Sequence, residues 1–283
     1  MSTNIQTCTS ITRPTTNLVA GDMRFETDTK NVIIWDGSNW VGYKKDFAVI
    51  PFSDRGTNYA LFDGVDDLIT LGGSTDFNWT FSDSWTISAW INPTTWSSTA
   101  NDVIFHNGKT LTSGDSYQGG VLFGSAGSSN KLVVNWFAGA GGGNNYNFLG
   151  RITDADVIST SIWQHVVATY NGGSTNSSFK IYIDKVQSDT ADSGGGNIAN
   201  GSASSGNIGM PALAGKGRLS TRYFQGGMDE YAIFDYALSQ SEINDLYDYT
   251  YKNPTALWRF ESGYSSEVGS YTATNSGTTI TAY

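Results

Sequence analysis

The stretch that decides the fold is Phe224 to Tyr247, FQGGMDEYAIFDYALSQSEINDLY. Its first half predicts a glycine-hinged strand, because residue types alternate and the side chains of an extended chain point to opposite faces in turn. The alternation puts Asp229, Tyr231 and Ile233 on the face that we expect to point inward. The opposite face carries Glu230, Ala232 and Phe234.

A short helix is predicted directly after this strand. Ser239 and Glu242 have the spacing of a capping box, in which the serine hydroxyl accepts from the N–H of Glu242 and the carboxylate accepts from the N–H of Ser239. Apolar residues then recur three and four positions apart, at Ile243, Leu246 and Tyr247. We therefore predict a helix over residues 239–249 that packs through this stripe, and no other long helix.

Composition indicates an all-β protein. The 283 residues include 33 glycines and 13% aromatic residues, and only 15% are charged. Such values are typical of short strands joined by many turns. The formal charge of −10, without a dense Lys/Arg run, disfavours nucleic acid and membrane surfaces as partners.

Cysteine usage and the N-terminal sequence indicate where the chain is made. Cys8 is the only cysteine, so no disulfide can form within the chain. The segment after Met1 lacks the basic start and apolar run of a signal peptide, and no stretch approaches the ~20 apolar residues of a membrane span. We expect synthesis in a cytoplasm, with no signal peptide and no transmembrane segment.

Residues 1–46 form a small N-terminal β module. Its strand candidates make a three-stranded meander at most: Met23–Glu26, Val32–Trp35 and the segment that follows the Asp36-Gly37 turn. So small a sheet buries little surface by itself. We therefore predict that Phe25, Trp35 and Trp40 contact another surface, which is either the main domain or another subunit. In the second case the module serves attachment or oligomerisation.

Residues 47–283 form the larger domain, an antiparallel β-sandwich. NYALFDGVDDLITLGG, from Asn58, reads as two strands around an Asp63-Gly64 turn. In SWTISAWINP the residues expected to face inward are Trp85, Ile87, Ala89 and Ile91. Further predicted strands are 102–106, 120–124, 131–137, 163–170, 179–184 and 207–210. Glycine-rich segments at 139–150 and 193–206 are predicted loops.

Six segments in order resemble a laminin-G-like, concanavalin A-like jelly roll. They are ALFDGVDDLITL, WTISAWINP, WQHVVATYNG, FKIYIDK, NIG and FQGGMDEYAIFDYALSQSEINDLY. The resemblance covers residues 58–250 and implies a lectin-like sandwich. Lys185 departs from it, because the family usually has Gly at this hairpin position. ALWRFESGYSS, from Ala256, resembles a piece that usually opens such domains, so it either completes the sandwich or begins a separate element.

A second resemblance concerns the N-terminal module. TRPTTNLVAGDMRFETDTKNVIIWDGSNW is similar to a short module that recurs in bacteriophage tail and fibre proteins. It implies a location on the virion surface, with other virion proteins, and further copies of this chain, as partners. The alternative is an ordinary hairpin packed against its own chain, and both interpretations stay open here.

An acidic group is the candidate metal site. Asp63, Asp66 and Asp67 fall in one turn, and Asp229 is predicted to point inward. A buried carboxylate must be hydrogen-bonded, protonated or bound to a cation. Calcium suits several carboxylates at once, and the resemblance implies a structural Ca²⁺ where first and last strands meet. The alternative is that these carboxylates only accept backbone N–H groups.

Aromatic and amide side chains off the main apolar row are candidate glycan contacts. Exposed aromatic faces next to Asn and Gly can stack on a sugar ring. The candidates are Trp90, Trp96, Trp136, Asn145 and Tyr146. For each of them the alternative is ordinary packing within the sandwich.

The sequence lacks the motifs of a catalyst. It contains no G-x-S-x-G, no H-E-x-x-H and no phosphate-binding loop. We expect His165 to be a core histidine, and Asp229 with Glu230 cannot be a glycosidase pair because adjacent strand residues face opposite ways. We therefore expect a non-enzymatic virion structural protein, a capsid decoration or tail or fibre component, whose sandwich binds a cell-surface polysaccharide. The alternatives are a carbohydrate-binding adhesion module of a bacterial protein and a glycoside hydrolase.

Overall fold

A computed structural model describes most of the chain. The described residues are 6–20, 22–27, 31–35, 37–43, 56–96, 102–108, 120–126, 130–137, 148–153, 156–193, 212–217, 222–249 and 254–283. The chain divides into two compact units. The first comprises Met1–Phe52 and Tyr249–Asn253, and the second comprises Ser53–Asp248 and Pro254–Tyr283.

The first unit contains a four-stranded sheet. Its strands are β1 (Gln6–Cys8), β2 (Met23–Glu26), β3 (Asn31–Trp35) and β4 (Trp40–Tyr43), in that spatial order. The predicted meander corresponds to β2, β3 and β4, which pair antiparallel. The expectation of three strands at most was wrong, because the polar lead adds β1 in parallel to β2.

The second unit contains the remaining sixteen strands. In chain order they are β5 (Asn58–Asp63), β6 (Leu68–Leu71), β7 (Trp85–Pro93), β8 (Val103–His106), β9 (Gly120–Ser125), β10 (Leu132–Phe137), β11 (Phe148–Thr153), β12 (Gln164–Tyr170), β13 (Phe179–Ile183), β14 (Val186–Gln187), β15 (Asp189–Asp192), β16 (Ala212–Ala214), β17 (Gln225–Phe234), β18 (Ala256–Trp258), β19 (Ala273–Ser276) and β20 (Thr279–Ala282). The predicted strand at 207–210 lies outside the described residues.

These strands form two antiparallel sheets that face each other. The front sheet has the order β14-β13-β12-β7-β17-β5-β20, with β18 paired to β17. The back sheet has the order β15-β11-β10-β9-β8-β16-β6-β19. The antiparallel β-sandwich predicted from the sequence is therefore confirmed.

The hydrophobic core lies between the two sheets. All four residues predicted to face inward on β7, Trp85, Ile87, Ala89 and Ile91, are fully buried in it. Aromatic rings fill much of the space: Trp79 stacks on Trp85 with ring centroids 4.9 Å apart. Rings in such offset contacts add to the stabilisation from buried apolar area.

The α-helix α1 (Gln240–Tyr247) lies on the outer face of the front sheet, and a short 3₁₀ helix spans Asn176–Ser178. The predicted capping box is present, since the Glu242 carboxylate accepts from the N–H of Ser239 at 2.9 Å. The Tyr247 ring packs 5.2 Å from Trp90 of β7, so the helix covers this part of the sheet. Within the described chain, no helix combines the length and hydropathy required to cross a membrane.

The hairpin between β13 and β14 keeps a two-residue turn although it lacks glycine. Asp184 and Lys185 both have positive φ, 47° and 74°, and Ile183 pairs directly with Val186. Two such residues are the requirement of a type I′ turn, which normally takes Asn-Gly or Asp-Gly. The Lys185 side chain is held by helix α1, because Nζ lies 2.5 Å from the Asp248 carboxylate and 4.6 Å from the centre of the Tyr247 ring.

The C-terminal segment completes the sandwich. Strand β18 pairs with β17, β19 with β6 and β20 with β5. Both sheets thus end on a strand from this segment. Of the two interpretations of the sequence after Ala256, the structure supports completion of the sandwich.

Candidate functional site

The acidic turn between β5 and β6 brings three of the four predicted metal ligands together. One carboxylate oxygen of each of Asp63, Asp66 and Asp67 lies within 4.8 Å of the others. The turn is also held by hydrogen bonds: Asp63 Oδ1 accepts from Val65 N at 2.7 Å, and Asp67 Oδ2 accepts from Asp63 N at 2.8 Å. Both predicted roles, cation ligand and backbone acceptor, are geometrically compatible here.

A pocket of about 450 Å³ lies beside this turn. Asp63 and Asp67 line it together with Gln225, Gly277 and Thr279. Burial is the main cause of a raised pKa of Asp67; the N–H of Asp63 lowers it, and the charges of Asp63 and Asp66 raise it further. Gly277 is required at this position, because a Cβ would lie 1.8 Å from Asp67 Oδ1. The donor set suits a hard cation such as Ca²⁺.

Asp229 does not belong to the described acidic group, and its predicted inward direction was wrong. Strand β17 contains a bulge: its register against β7 shifts between Asp229 and Ala232, and Glu230 has φ +48°. The extra residue reverses the alternation that the sequence suggests. Met228 therefore shares the core face with Tyr231, and Asp229 lies on the outer face of the front sheet beside Trp90.

The Asp229 carboxylate is fully buried on that outer face. Its Oδ1 accepts from Glu230 N at 2.8 Å, and its Oδ2 accepts from the hydroxyl of Tyr283. Burial raises the pKa of Asp229 to about 7, against the opposing effect of these two hydrogen bonds. The charge of Glu261 raises the pKa further, whereas Arg259 lowers it.

His165 is a structural histidine, as expected. Its ring is 1% exposed, and Nε2 lies 2.8 Å from Ser88 Oγ on the neighbouring strand β7. Burial lowers the pKa of His165 to about 3, so the ring is neutral near pH 7. Its backbone N–H donates to the Asp184 carboxylate at 2.9 Å, which ties β12 to the β13–β14 hairpin.

The three tryptophans predicted as glycan contacts do not present a free ring face. Trp90 is 6% exposed, Trp96 7% and Trp136 0%. Trp136 packs between Phe81 and Tyr170 in the core, with ring centroids 4.6 and 5.0 Å away. The expectation of exposure was wrong for all three. Asn145 and Tyr146 lie outside the described residues.

The sequence of strand β10 explains why Trp136 was expected to be exposed although it is buried. Its sequence, LVVNWF, has apolar residues in both alternating sets, so the pattern alone does not fix which set faces the core. In the structure Leu132, Val134 and Trp136 join the core, and the outer face carries Val133, Asn135 and Phe137. The partly exposed aromatic residue of this strand is therefore Phe137.

A groove of about 360 Å³ runs along the outer face of the back sheet. Its apolar lining comes from strands β9, β10 and β11 and consists of Leu122, Ala126, Val133, Phe137 and Ile152. The ring of Phe137 also packs against Phe148, with centroids 5.4 Å apart. Together these residues form the back-sheet groove, which the sequence analysis did not identify.

Polar groups line the same back-sheet groove. Asn135, Ser193, Asp192 and Arg222 contribute to its wall, and the hydroxyl of Ser193 donates to the Asn135 side-chain oxygen. Gly150 makes room for this pair, because a Cβ there would lie 2.2 Å from Asn135 Oδ1 and 2.6 Å from Ser193 Oγ. An apolar floor with an aromatic ring and a few fixed polar groups is the usual composition of a small-molecule site.

Asp192 is held by a neighbouring ion pair. Arg151 Nη1 lies 2.6 Å from Asp192 Oδ1, and Arg151 Nε lies 2.9 Å from the buried Asp189. The hydrogen bond from Arg151 is the main cause of a lowered pKa of Asp192. The carboxylate on this side of the groove is therefore ionised and oriented before any ligand arrives.

Two of the predicted attachment residues have contacts within their own sheet. The rings of Trp35 and Trp40 meet edge to face with centroids 5.7 Å apart, and Trp40 Nε1 donates to the carbonyl of Pro14 at 2.8 Å. Both side chains remain partly exposed. Phe25 lies on β2, opposite Val32 of β3.

The two facing sheets and the groove on one outer face define a lectin-like β-sandwich. The profile of the concanavalin A-like lectin/glucanases superfamily, Laminin_G_3, matches residues 63–244. The chain therefore belongs to this superfamily. No curated protein matches the sequence.

Solved structures are similar to this chain at low sequence identity. A Bacteroides ovatus protein provisionally assigned to carbohydrate binding has a TM-score of 0.52 and 16% identity, over 94% of this chain and 70% of its own. Domain 4 of an extracellular GH43 arabinanase from Geobacillus stearothermophilus, in complex with arabinotriose, has a TM-score of 0.43 and 18% identity, over 66% and 75%. The Ruminococcus gnavus sialidase module CBM40, bound to α2,3 sialyllactose, has a TM-score of 0.43 and 10% identity, over 67% and 96%.

Proposed function

We propose that this chain is a non-enzymatic carbohydrate-binding protein whose back-sheet groove holds a glycan. The observation that carries the proposal is the groove itself, in which the ring of Phe137 lies beside fixed polar groups of Asn135, Ser193 and Asp192. An aromatic ring can stack on the apolar face of a sugar, and amide and carboxylate groups can bind its hydroxyls. Membership of the concanavalin A-like lectin/glucanases superfamily supports a saccharide as the ligand class.

The carboxylates at the groove favour binding over hydrolysis. Glycosidases use two carboxyl groups on opposite sides of the scissile bond, roughly 5 to 10 Å apart. Among the described lining residues only Asp192 carries a carboxylate, and Arg151 engages it. The nearby Asp189 is buried, and its Oδ1 accepts from Ile181 N at 2.7 Å. Neither group is placed to serve as a proton donor for a sugar.

The groove is tested by substitution of its aromatic residue. We expect Phe137→Ala to weaken binding to the preferred member of a panel of neutral, amino and acidic polysaccharides by about tenfold, because one stacking contact is lost. Affinity gel electrophoresis identifies the ligand, and calorimetry measures the dissociation constant. Val186→Ala, at an exposed position on β14 of the other sheet, is the matched control. Equal affinities of both variants and the wild type would exclude the groove.

We further propose that the protein is a virion component and that residues 1–46 attach it to a partner or to further copies of itself. The similarity of this segment to phage tail and fibre modules supports the proposal, as do the partly exposed rings of Trp35 and Trp40. A Ca²⁺ ion bound by Asp63, Asp66 and Asp67 is proposed as the structural cofactor of the sandwich.

Removal of residues 1–46 tests the attachment role. We expect the chain 47–283 to melt within a few degrees of the full-length protein, while light scattering shows the loss of an oligomer that the full-length protein forms. A monomeric full-length protein, together with a much lower melting temperature of the shortened chain, would instead show that these residues stabilise the sandwich by burying apolar area.

A further inference from the structure

Three aromatic rings form a second surface feature, on the outer face of the front sheet. Tyr59, Trp163 and Tyr283 contact one another with ring centroids 5.1 to 5.2 Å apart, and we name this group the aromatic platform. Tyr283 is 51% exposed, and Ile162 beside Trp163 is 57% exposed. The platform lies on a different sheet from the back-sheet groove and shares no residue with it.

A glycine lets these rings lie close to the sheet. A Cβ at Gly227 would lie 2.8 Å from Trp163 Cη2 and 2.9 Å from Tyr59 Cδ2. Gly227 is the third residue of β17, and glycine within a strand normally weakens it. A glycine at such a position commonly marks a place where other groups approach the backbone closely.

A buried carboxylate fixes the exposed ring. The Tyr283 hydroxyl donates to Asp229, which the bulge at Glu230 turns toward this face. Burying a carboxylate is unfavourable, and here it raises the pKa of Asp229 to about 7. The bulge at Glu230 and the buried Asp229 carboxylate thus fix the orientation of the half-exposed Tyr283 ring. Bulges that redirect a side chain are over-represented next to functional sites.

We propose that the aromatic platform is a second saccharide-binding surface, on which a neutral sugar ring stacks against Tyr283 and Trp163. The choice of a saccharide as the ligand rests on the proposed function. The choice of residues rests only on the ring contacts of the aromatic platform. Charge selects neutral sugars over acidic ones, because the negative charge of Glu261 acts at Asp229 beside Tyr283 and the nearby Arg259 is paired with Glu267. With the chain at −10 overall, uronic and sialic acids are repelled.

The experiment measures calorimetric affinity for a soluble neutral β-glucan, a soluble arabinan and the anionic polygalacturonate. We expect Trp163→Ala and Tyr283→Ala each to bind the neutral glycan about tenfold more weakly than the wild type. Tyr283→Phe should lose clearly less affinity than Tyr283→Ala, because it keeps the ring and loses only the hydroxyl bond to Asp229. Val186→Ala is again the control, and the melting temperature of each variant confirms that it is folded.

Each outcome decides between the two sites. Wild-type affinity of Trp163→Ala and Tyr283→Ala, with weak binding of Phe137→Ala, would overturn the platform and leave the groove. An equal loss in Tyr283→Phe and Tyr283→Ala would also overturn it, since the hydroxyl bond to Asp229 rather than stacking would then matter. Preference for polygalacturonate would overturn the neutral ligand class. A wild type that binds no saccharide would overturn the proposed function, and with it the platform as a sugar site.

Discussion

Asp229 and His165 lie on the same face of the front sheet, on either side of Trp90. Burial moves their pKa values in opposite directions, to about 7 for Asp229 and about 3 for His165. Between about pH 4 and 7 the folded state keeps the Asp229 proton that the unfolded state has released, so stability falls as pH rises. Between about pH 3 and 6.5 the unfolded state protonates His165 and the folded state does not, so stability rises with pH.

These opposing effects predict that Asp229→Asn changes the pH profile of stability. Between pH 4.5 and 6.5 the two groups nearly cancel in the wild type. In Asp229→Asn only the effect of His165 remains. We therefore expect the free energy of unfolding of this variant, relative to that of the wild type, to increase by roughly 1.4 kcal/mol for each pH unit in this range. The asparagine can still accept from Glu230 N and donate to the Tyr283 oxygen.

Urea unfolding at pH 4.5, 5.5, 6.5 and 8 measures this difference. Asp156→Asn is the control, because Asp156 is exposed. Its profile should run parallel to that of the wild type. A parallel profile for Asp229→Asn as well would mean that the carboxylate at position 229 is not desolvated as described.

At the scale of elements, the features that depend only on neighbouring residues in the sequence were predicted correctly. The capping box of α1 needs only Ser239 and Glu242, and the inward row of β7 needs only strict alternation. Neither feature depends on a distant part of the chain. Both could therefore be predicted from the sequence.

The bulge on β17 could not be predicted in the same way. The alternation of inward and outward side chains requires an unbroken strand. Glu230 interrupts it with φ +48°, an unfavourable conformation for a residue other than glycine. The pairing with β7 sets the position of this bulge, and that pairing is non-local. Because the bulge was not predicted, Asp229 was expected to be a metal ligand, and its contact with Tyr283 was not expected.

Strand β11 begins within a glycine-rich stretch that is typical of a loop. Residues 139–150 were predicted to be a loop, yet Phe148–Thr153 is a strand of the back sheet. Glycine is needed at position 150 of this strand, because Asn135 and Ser193 occupy the space that a Cβ would take. The groove was not predicted, because Trp136 instead of Phe137 was expected on the outer face of β10 and the first residues of β11 were expected to be a loop.

At the scale of the whole molecule, the ends of the sandwich meet at the acidic turn. Strand β5 begins the sandwich and pairs with β20 near its end, while β6 pairs with β19. Gly277, between β19 and β20, lies against Asp67 of the turn between β5 and β6. A cation at this turn would lie where the connection between β5 and β6 meets the connection between β19 and β20.

Calcium should therefore raise the melting temperature of the protein. At a free Ca²⁺ concentration a hundredfold above the dissociation constant, a bound ion adds about 2.7 kcal/mol, which corresponds to about 5 to 10 °C for a domain of this size. Calorimetric scans with CaCl₂ and with EGTA measure the shift.

The decisive variant for calcium is Asp66→Asn. The Asp66 carboxylate takes no part in the described hydrogen bonds of the turn, whereas Asp63 and Asp67 both accept backbone N–H groups. Asp66→Asn should therefore melt at least as high as the wild type in EGTA, because one like charge is removed from the turn, and it should lose most of the calcium-induced rise. Asp156→Asn, exposed and remote in sequence from the turn, should keep the full rise. If CaCl₂ and EGTA give the same melting temperature for the wild type, the turn binds no calcium, and Asp63 and Asp67 serve only as acceptors of backbone N–H groups.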